Sequence, residues 1–401
     1  MKKILIIGGG FAGCAMAHTL DLSGNYDVLI VEKSNQLGAG VRTYFSGGHP
    51  FTFGPRHFLT KDKRLFDFFN KYVPMRDCGK NHRYLTYVEK DNQFYSMPLS
   101  YDDIENMPDK DVINEELKNL DPNKKPKNLE EFWKFSIGNT LYNKVVNDYN
   151  KKMWMVDDNK VFTSFGWTTK GDPIKKGKRD AFDSPDVFSA YPIAKDGYNA
   201  YFNIATKNAK VLLNTELEDC DMINKKVKIK GEDYKFDYII NTISPDELFK
   251  KDIGELKYVG RDLHTLILPM EYCFPDGVFF LYYANKEKFT RVVEYKKFSL
   301  HKSKTTLIGI EFPSKNGKFY PMPLSSEQDL AKKYHDRFPE QTFSIGRNGS
   351  YRYSVDIDDS IEQALYVAEL IKKNNWENAV PLEKHRNKNY SSMGKSNEDS
   401  N

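Results

Sequence analysis

The chain opens on a short apolar run, Lys3 to Ile7 (KILII), then three glycines, then apolar residues at helical spacing through Ala15, Ala17 and Leu20. A brief run with no polar alternation is what a strand buried on both faces of a parallel sheet requires. A second run, Tyr26 to Val31, ends at Glu32. Farther on, the spacing predicts a helix over Leu65 to Tyr72 and two strands, Tyr84 to Val88 and Gln93 to Tyr95. A helical stretch follows from Tyr101 to Trp154, with Pro108, Pro122 and Pro126 as breaks. Residues 163–181, rich in Gly, Lys and Asp, read as a mobile loop. Short strands are predicted at Lys210 to Leu213, Lys226 to Ile229 and Tyr238 to Asn241. Leu263 to Leu268, Val278 to Tyr283, Phe289 to Tyr295 and Thr305 to Ile310 then predict an antiparallel sheet. A long helix over Asp359 to Lys373 carries its apolar stripe on Ile361, Leu365, Val367, Ala368 and Ile371. Residues 384–401 are polar and read as a disordered tail.

The first two strands and the turn between them carry recognisable chemistry. Gly8-Gly9-Gly10-Phe11-Ala12-Gly13 fits GxGxxG, with a strand before it, a helix after it and Glu32 at the end of the second strand. Gly8 permits the tight turn, Gly10 lets backbone approach a pyrophosphate, and Gly13 lets the helix sit close to the strand. The amides of Phe11 and Ala12 open the helix, whose N-terminus favours phosphate, and Glu32 is placed to accept from ribose hydroxyls. Directly after Glu32 and Lys33, a second glycine-bearing turn holds Gly40 and Val41. That second loop resembles the pattern of FAD-binding oxidases and their relatives, which implies FAD, held and wrapped, rather than NAD.

The fold class is therefore α/β. A discontinuous Rossmann-type FAD-binding domain is expected from residues 1–80, 220–262 and 330–378. A helical insert with a mobile loop spans 100–175, and 81–99, 176–219 and 263–329 form an antiparallel-sheet substrate domain. A chain of 401 residues is long enough for this division.

Composition narrows the function. Aromatic residues reach 14%, enough to line a site that stacks on flat rings as well as to fill a core. The net charge of +4 comes from interleaved acids and bases, which argues against a nucleic-acid partner. Cys14, Cys78, Cys220 and Cys273 show neither disulfide-framework nor metal-ligand spacing, so a reducing compartment and no metal are expected. The N-terminal apolar run enters a turn, unlike a cleavable leader, and no stretch is long enough to span a bilayer. The expected location is cytoplasmic, without membrane insertion.

Several further segments carry a family resemblance, patchily, from residue 4 to about residue 372. Phe53-Gly54-Pro55-Arg56-His57-Phe58-Leu59-Thr60 looks like a Tyr-Gly-Pro-His-x-Phe-His-Thr segment, and Tyr149 to Trp154 like Tyr-Thr-x-Lys-Gln-Trp. Thr290-Arg291-Val292-Val293-Glu294-Tyr295-Lys296-Lys297-Phe298 follows Thr-Arg-Ile-x-Glu-x-Lys-x-Phe. Glu311-Phe312-Pro313, Phe319-Tyr320-Pro321 and Gly346 to Tyr353 with Asp356 complete the set. Together they resemble the UDP-galactopyranose mutase family.

The resemblance implies a flavin-dependent mutase that interconverts pyranose and furanose forms of a nucleotide-diphosphate sugar. Reduced flavin N5 is the nucleophile, and NAD(P)H, or dithionite in vitro, is the reductant. It implies that Arg291 and the mobile-loop Arg179 hold the diphosphate, with Trp154 and Tyr320 beside the reacting sugar. Tyr149, Asn150, Phe188 and Tyr353 would bind substrate. Phe58, Arg347, Tyr353 and Asp356 would join the glycine-turn residues around the cofactor. Dimers are common in the family, so a homodimer stays open. No His, Asp or Cys is nominated as catalytic.

The departures fall near the base and sugar: Val145 in place of an aromatic, Met153 in place of Gln, Phe188-Ser189 in place of Tyr-Gln, and Leu59 in place of His. The sugar is thus left open among UDP-galactose, UDP-N-acetylgalactosamine, dTDP-fucose and a deoxyheptose. Two alternatives remain at this stage, a flavin oxidoreductase of the amine-oxidase or desaturase type and a non-catalytic flavoprotein.

Overall fold

Ile4, Leu5 and Ile6 are completely buried because their strand, Lys2–Ile7, lies in the middle of a five-stranded parallel sheet. It pairs with Tyr26–Val31 on one side and Tyr238–Asn241 on the other. Lys210–Leu212 and Thr342–Ser344 form the edges. The computed structural model describes residues 1–78, 82–165, 174, 176–177 and 187–374. Helix Phe11–Ser23 covers one face of this sheet with Ala15, Met16, Ala17 and Leu20 inward, and the long helix Ile357–Lys373 packs against it. Small residues on the first helix allow the close approach, and Thr19 Oγ1 donates to the carbonyl of Ala364 at 3.3 Å.

The second large sheet has seven strands, in the order Tyr320–Pro321, Tyr258–Leu268, Thr306–Ser314, Arg291–Glu294, Val278–Tyr283, Arg83–Val88 and Gln93–Met97. All neighbours are antiparallel except Val278–Tyr283 with Arg83–Val88, so the sheet is mixed where pure antiparallel order was expected. Helices Tyr101–Glu105, Lys110–Lys118, Leu129–Val145 and Asn147–Trp154 supply an apolar core around Trp133, Leu141 and Trp154. A three-stranded sheet of Phe58–Thr60, Phe188–Pro192 and Met75–Asp77 lies between the two large ones in the chain's path.

Two expectations need correction. Lys210–Leu212, grouped with the substrate sheet, pairs in parallel with Leu29–Val31. Its short apolar run, read as an antiparallel strand, extends the parallel sheet. The strand expected over Phe289 to Tyr295 stops at Glu294, and Tyr295–Ser299 turns into a helix. Period-two alternation is lost there because Tyr295, Lys296, Lys297 and Phe298 are all buried. Phe298 must reach the ring of Phe279, 4.8 Å away. Among the described residues no helix is long and apolar enough to cross a membrane. The tail 384–401 and most of the loop 163–181 lie outside the described residues.

Candidate active site

The glycine turn is shaped by contacts that leave no room for side chains. Gly8 has φ +99°, a region that favours glycine. A Cβ on Gly13 would lie 2.0 Å from the carbonyl oxygen of Gly8, so helix and strand touch backbone to backbone. Glu32 is anchored twice: its Oε2 accepts from the Gly9 amide at 2.7 Å and its Oε1 from the Ser34 amide at 2.7 Å. The first turn of helix Phe11–Ser23 carries no acid, and its free amides point out of the helix start. The turn at Ala39–Val41 lies beside it, joined through Gly38 N to Gly9 O at 2.9 Å. This arrangement fits a dinucleotide: a glycine-lined approach, an anion-seeking helix end and a fixed carboxylate.

Not every residue named for the cofactor presents its side chain there. The rings of Phe11 and Phe58 are buried in the core, stacked on Tyr201 and Phe69 respectively. Val41 is also buried, while Lys33 is exposed beside Glu216 at 3.8 Å. Any part that Phe11, Phe58 and Val41 take falls to their backbone. Gly40 has open space around it, and Ala12 touches the turn at Gly346, whose added Cβ would meet the Ala12 Cβ at 2.5 Å.

That contact links the glycine turn to a second cluster on the seven-stranded sheet. The sheet's register builds it. Tyr282 lies opposite Arg291, and Arg291 opposite Glu311, on three adjacent strands, so the three residues form a row. Glu311 lies opposite Leu263, two residues from Arg261, and Tyr320 pairs with Val259 on the far edge. Since side chains alternate, Val259, Arg261 and Leu263 share a face. Arg291 Nη2 donates to Glu311 Oε2 at 2.6 Å, and the guanidinium lies 5.2 Å from the Phe280 ring centre. Arg261 stands 4.7 Å over Tyr320 and donates to the carbonyl of Gly260 at 2.7 Å and to Met153 Sδ.

Arg347 closes the cluster from the parallel-sheet side. It lies on Gly346–Gly349, directly after the last strand of that sheet, and is held by Asp356 Oδ1 at 2.5 Å and the Val355 carbonyl at 2.9 Å. Its guanidinium is 5.4 Å from the Tyr320 ring centre and 6.0 Å from that of Tyr353. Tyr353 touches Tyr320 at 5.7 Å and Trp154 at 4.9 Å. Tyr149 meets Tyr282 edge-on at 5.5 Å. Asn150, beside it on helix Asn147–Trp154, is buried with an Nδ2 that has no hydrogen-bond partner among the described residues. A buried orphan donor costs about 1–3 kcal/mol, which a ligand acceptor would relieve.

The structure therefore brings together Arg291, Tyr320, Trp154, Tyr149, Asn150, Tyr353, Arg347 and Asp356. It does not bring Phe188 to them: that ring stacks on Phe66 at 4.8 Å, on helix Lys63–Asn70. Arg179 lies outside the described residues.

Electrostatics mark Tyr320 in particular. Burial opposes its ionisation, yet the fields of Arg56, Arg261 and Arg291 outweigh burial and bring the phenol down to about 8. Burial, with the field of Arg291, pushes His57 down to about 3, so its ring is neutral at ordinary pH; Nε2 lies 3.3 Å from Tyr84 Oη.

Sequence reasoning missed Arg261, Glu311 as a partner for Arg291, and Arg56. Arg261 had one signal, a charge in phase with Val259 on the inward face of a strand. Glu311 had none, because its meaning comes from a register set 20 residues away.

Comparison with known proteins agrees with this architecture. Residues 6–72 match the model of an NAD(P)-binding Rossmann-like domain, and residues 144–353, just over half the chain, match that of UDP-galactopyranose mutase. A dTDP-fucopyranose mutase from Escherichia coli is 27% identical over 403 residues, covering 94% of this chain and 100% of the relative. A crystal structure of reduced UDP-galactopyranose mutase superimposes with a TM-score of 0.78 at 16% identity, over 94% of this chain and 96% of that one. A putative protoporphyrinogen oxidase from Exiguobacterium sp. 255-15 shares the fold at a TM-score of 0.67 and 12% identity, over 93% of this chain and 99% of that one. With a matching Rossmann unit, a matching family model over half its length and a shared fold throughout, the chain belongs to the UDP-galactopyranose mutase family, the flavin-binding isomerases that act on nucleotide sugars.

Proposed function

We propose that this protein interconverts the pyranose and furanose forms of a nucleotide-diphosphate sugar, using tightly bound FAD in its reduced state. The observation that carries the proposal is the joined pair of sites: a glycine turn fit for a dinucleotide, packed through Ala12 and Gly346 against an arginine–tyrosine cluster fit for a diphosphate. Gly8, Gly10 and Gly13 with Glu32 would hold the cofactor, and Arg347 with Asp356 would border it. When bound and reduced, the flavin supplies a nucleophilic nitrogen for the anomeric carbon.

The chain's own residues do the rest. Arg291, fixed by Glu311, offers a planar fork to phosphate oxygens. Developing negative charge on the departing diphosphate is met by preset guanidinium groups, with little reorganisation. Tyr320, with its lowered proton affinity, is a strong hydrogen-bond donor to the same anion. Tyr149 and Tyr353 offer ring faces or edges, and Asn150 Nδ2 a free donor, toward base, ribose or sugar. Trp154, almost fully buried, supports Tyr353 from behind.

A 6-deoxy sugar such as dTDP-fucose is the substrate we favour over UDP-galactose. Met153 replaces an amide that could bond a hydroxyl, and its sulfur is engaged by Arg261. The E. coli dTDP-fucopyranose mutase is a relative over 94% of this chain. The likeness to oxidases is one of fold alone and supports no oxidase reading. Incubating the dithionite- or NAD(P)H-reduced protein with UDP-galactose, UDP-N-acetylgalactosamine and dTDP-fucose, and resolving products by chromatography, tests the proposal. Ring-isomerised sugar without net redox product is expected, fastest with dTDP-fucose. Oxygen consumption with peroxide release and no isomerised sugar would overturn it.

A further inference from the structure

Six charged side chains surround Tyr320 and Tyr353: Arg56, Arg261, Arg291, Arg347, Glu311 and Asp356. Arg291 is neutralised by Glu311 and Arg347 by Asp356, each through a direct ion pair. Arg261 and Arg56 have no carboxylate partner among the described residues. Arg261 is buried and spends its donors on a carbonyl and a thioether. The Nε of Arg56 is buried with no hydrogen-bond partner among the described residues.

Arg56 is also held near a like charge. The Arg56 and Arg291 guanidinium groups and one carboxylate oxygen lie within 4 Å of the point where a Cβ on Gly54 would sit, Arg291 Nη2 at 3.2 Å, Glu311 Oε1 at 3.7 Å and Arg56 Cζ at 3.8 Å. Gly54 has φ +86°, so the turn that carries Arg56 back toward Arg291 is one glycine adopts easily. Two guanidinium groups beside the single Glu311 carboxylate keep a net positive charge, which a bound anion balances. Burial of an unpaired charge is likewise costly unless something pairs it.

We propose that Arg56 is a substrate-binding residue that, with Arg261, supplies the unneutralised positive charge for the nucleotide sugar's diphosphate. Arg291, already paired with Glu311, positions the phosphate oxygens more than it balances their charge. Two unmatched cations meet the two negative charges of a diphosphate diester. This assignment rests on the mutase reading only in taking a nucleoside diphosphate as the ligand.

The test is binding, which needs no turnover. Flavin-loaded wild-type protein and the Arg56→Ala, Arg56→Lys and Arg56→His variants are titrated with dTDP, UDP, the monophosphates and the free nucleosides, at low and high salt. Arg56→Ala should weaken the diphosphates roughly 30-fold or more and flatten their salt dependence, with nucleoside affinity and flavin content unchanged. Arg56→Lys should recover part of the affinity, since it restores charge without the fork, and it serves in place of the alanine variant should that one fail to fold. Unchanged diphosphate affinity and salt response, or an equal loss for the nucleosides, would overturn the assignment, as would failure of wild-type protein to bind either diphosphate. Tight, Arg56-dependent diphosphate binding with no isomerisation of any sugar in the panel would instead count against the mutase reading and leave this one standing.

Discussion

The glycine turn and the arginine cluster, both proposed to hold phosphate, are built by opposite means. The turn uses backbone: Gly8 to Gly13 and Glu32 are close in sequence, and their geometry follows from the absence of side chains. The cluster uses long side chains from distant segments, with Arg56, Arg261, Arg291 and Arg347 brought together by sheet register and by the packing of Gly346 on Ala12. A backbone site fails when atoms are added. A side-chain site fails when charge is removed or left unbalanced.

The largest effect is expected at the turn. Gly13→Ala would place a methyl 2.0 Å from a backbone oxygen that cannot swing aside. We expect loss of bound flavin and destabilisation by about 3 kcal/mol or more. Yellow protein with an unchanged melting temperature would break the contrast at its root.

At the cluster, Arg291→Ala should keep the flavin and lose activity. Truncating a buried charge contact costs roughly 2–5 kcal/mol, a fall of roughly 30- to 5,000-fold in kcat/KM. It also strands Glu311, only 2% exposed, without its partner. The double variant Arg291→Ala/Glu311→Gln should therefore regain stability lost by the single variant without regaining turnover. Equal stability of the single and double variants in denaturant melts would argue that the pair carries no structural coupling.

These two predictions also separate what the sequence made legible from what it hid. The nucleotide-binding half was readable because each requirement lies in a local pattern: apolar run, glycine spacing, helical period, terminal acid. The cluster was readable only where a motif carried a residue with it, as for Arg291, Tyr320 and Tyr353. Arg56 sat inside a family-like segment and Arg261 two residues before the strand expected from Leu263, yet their partnership depends on segments far apart in the chain being brought together. Phe188 shows the reverse error. Its segment sits where the family places substrate contacts, but pairing with Leu59 and Thr60 turns its ring onto Phe66. Lys210–Leu212 was misassigned for a similar reason, since a three-residue strand carries no mark of parallel or antiparallel partners.

A third prediction uses charge without mutation of an arginine. Tyr320 titrates at about 8 in the folded protein, below the ordinary tyrosine value near 10. A group with a depressed folded value stabilises the fold fully above its unfolded value, and that contribution fades as pH falls through the folded value. Relative to Tyr320→Phe, the wild type should therefore gain about 2–3 kcal/mol between pH 8 and pH 10. Bound dTDP or UDP should shift the phenol's ultraviolet titration upward, because its phosphates offset the arginine fields that hold it down. A titration that ignores the diphosphate would place the anion away from Tyr320.

The smallest effect is expected at Phe188, where the sequence and the structure disagree most directly. Its ring is half-buried and stacked on Phe66 at 4.8 Å with 18° between planes, at the margin of the core around the parallel sheet. None of its described ring contacts is with Tyr149, Tyr320 or Tyr353. Removing the ring exposes part of Phe66 and forfeits one stacked pair, so Phe188→Ala should cost about 1–2 kcal/mol of stability. If the residue only supports the fold, KM for the best nucleotide sugar should move by less than about 2-fold, since no contact with the ligand is lost. Asn150→Ala is the control on the other side: it removes a buried donor with no partner among the described residues, so it should raise KM about 10-fold without lowering stability. A large rise in KM for Phe188→Ala with no loss of stability would restore the sequence-based assignment and would mean that the small sheet between the two large ones also reaches the substrate.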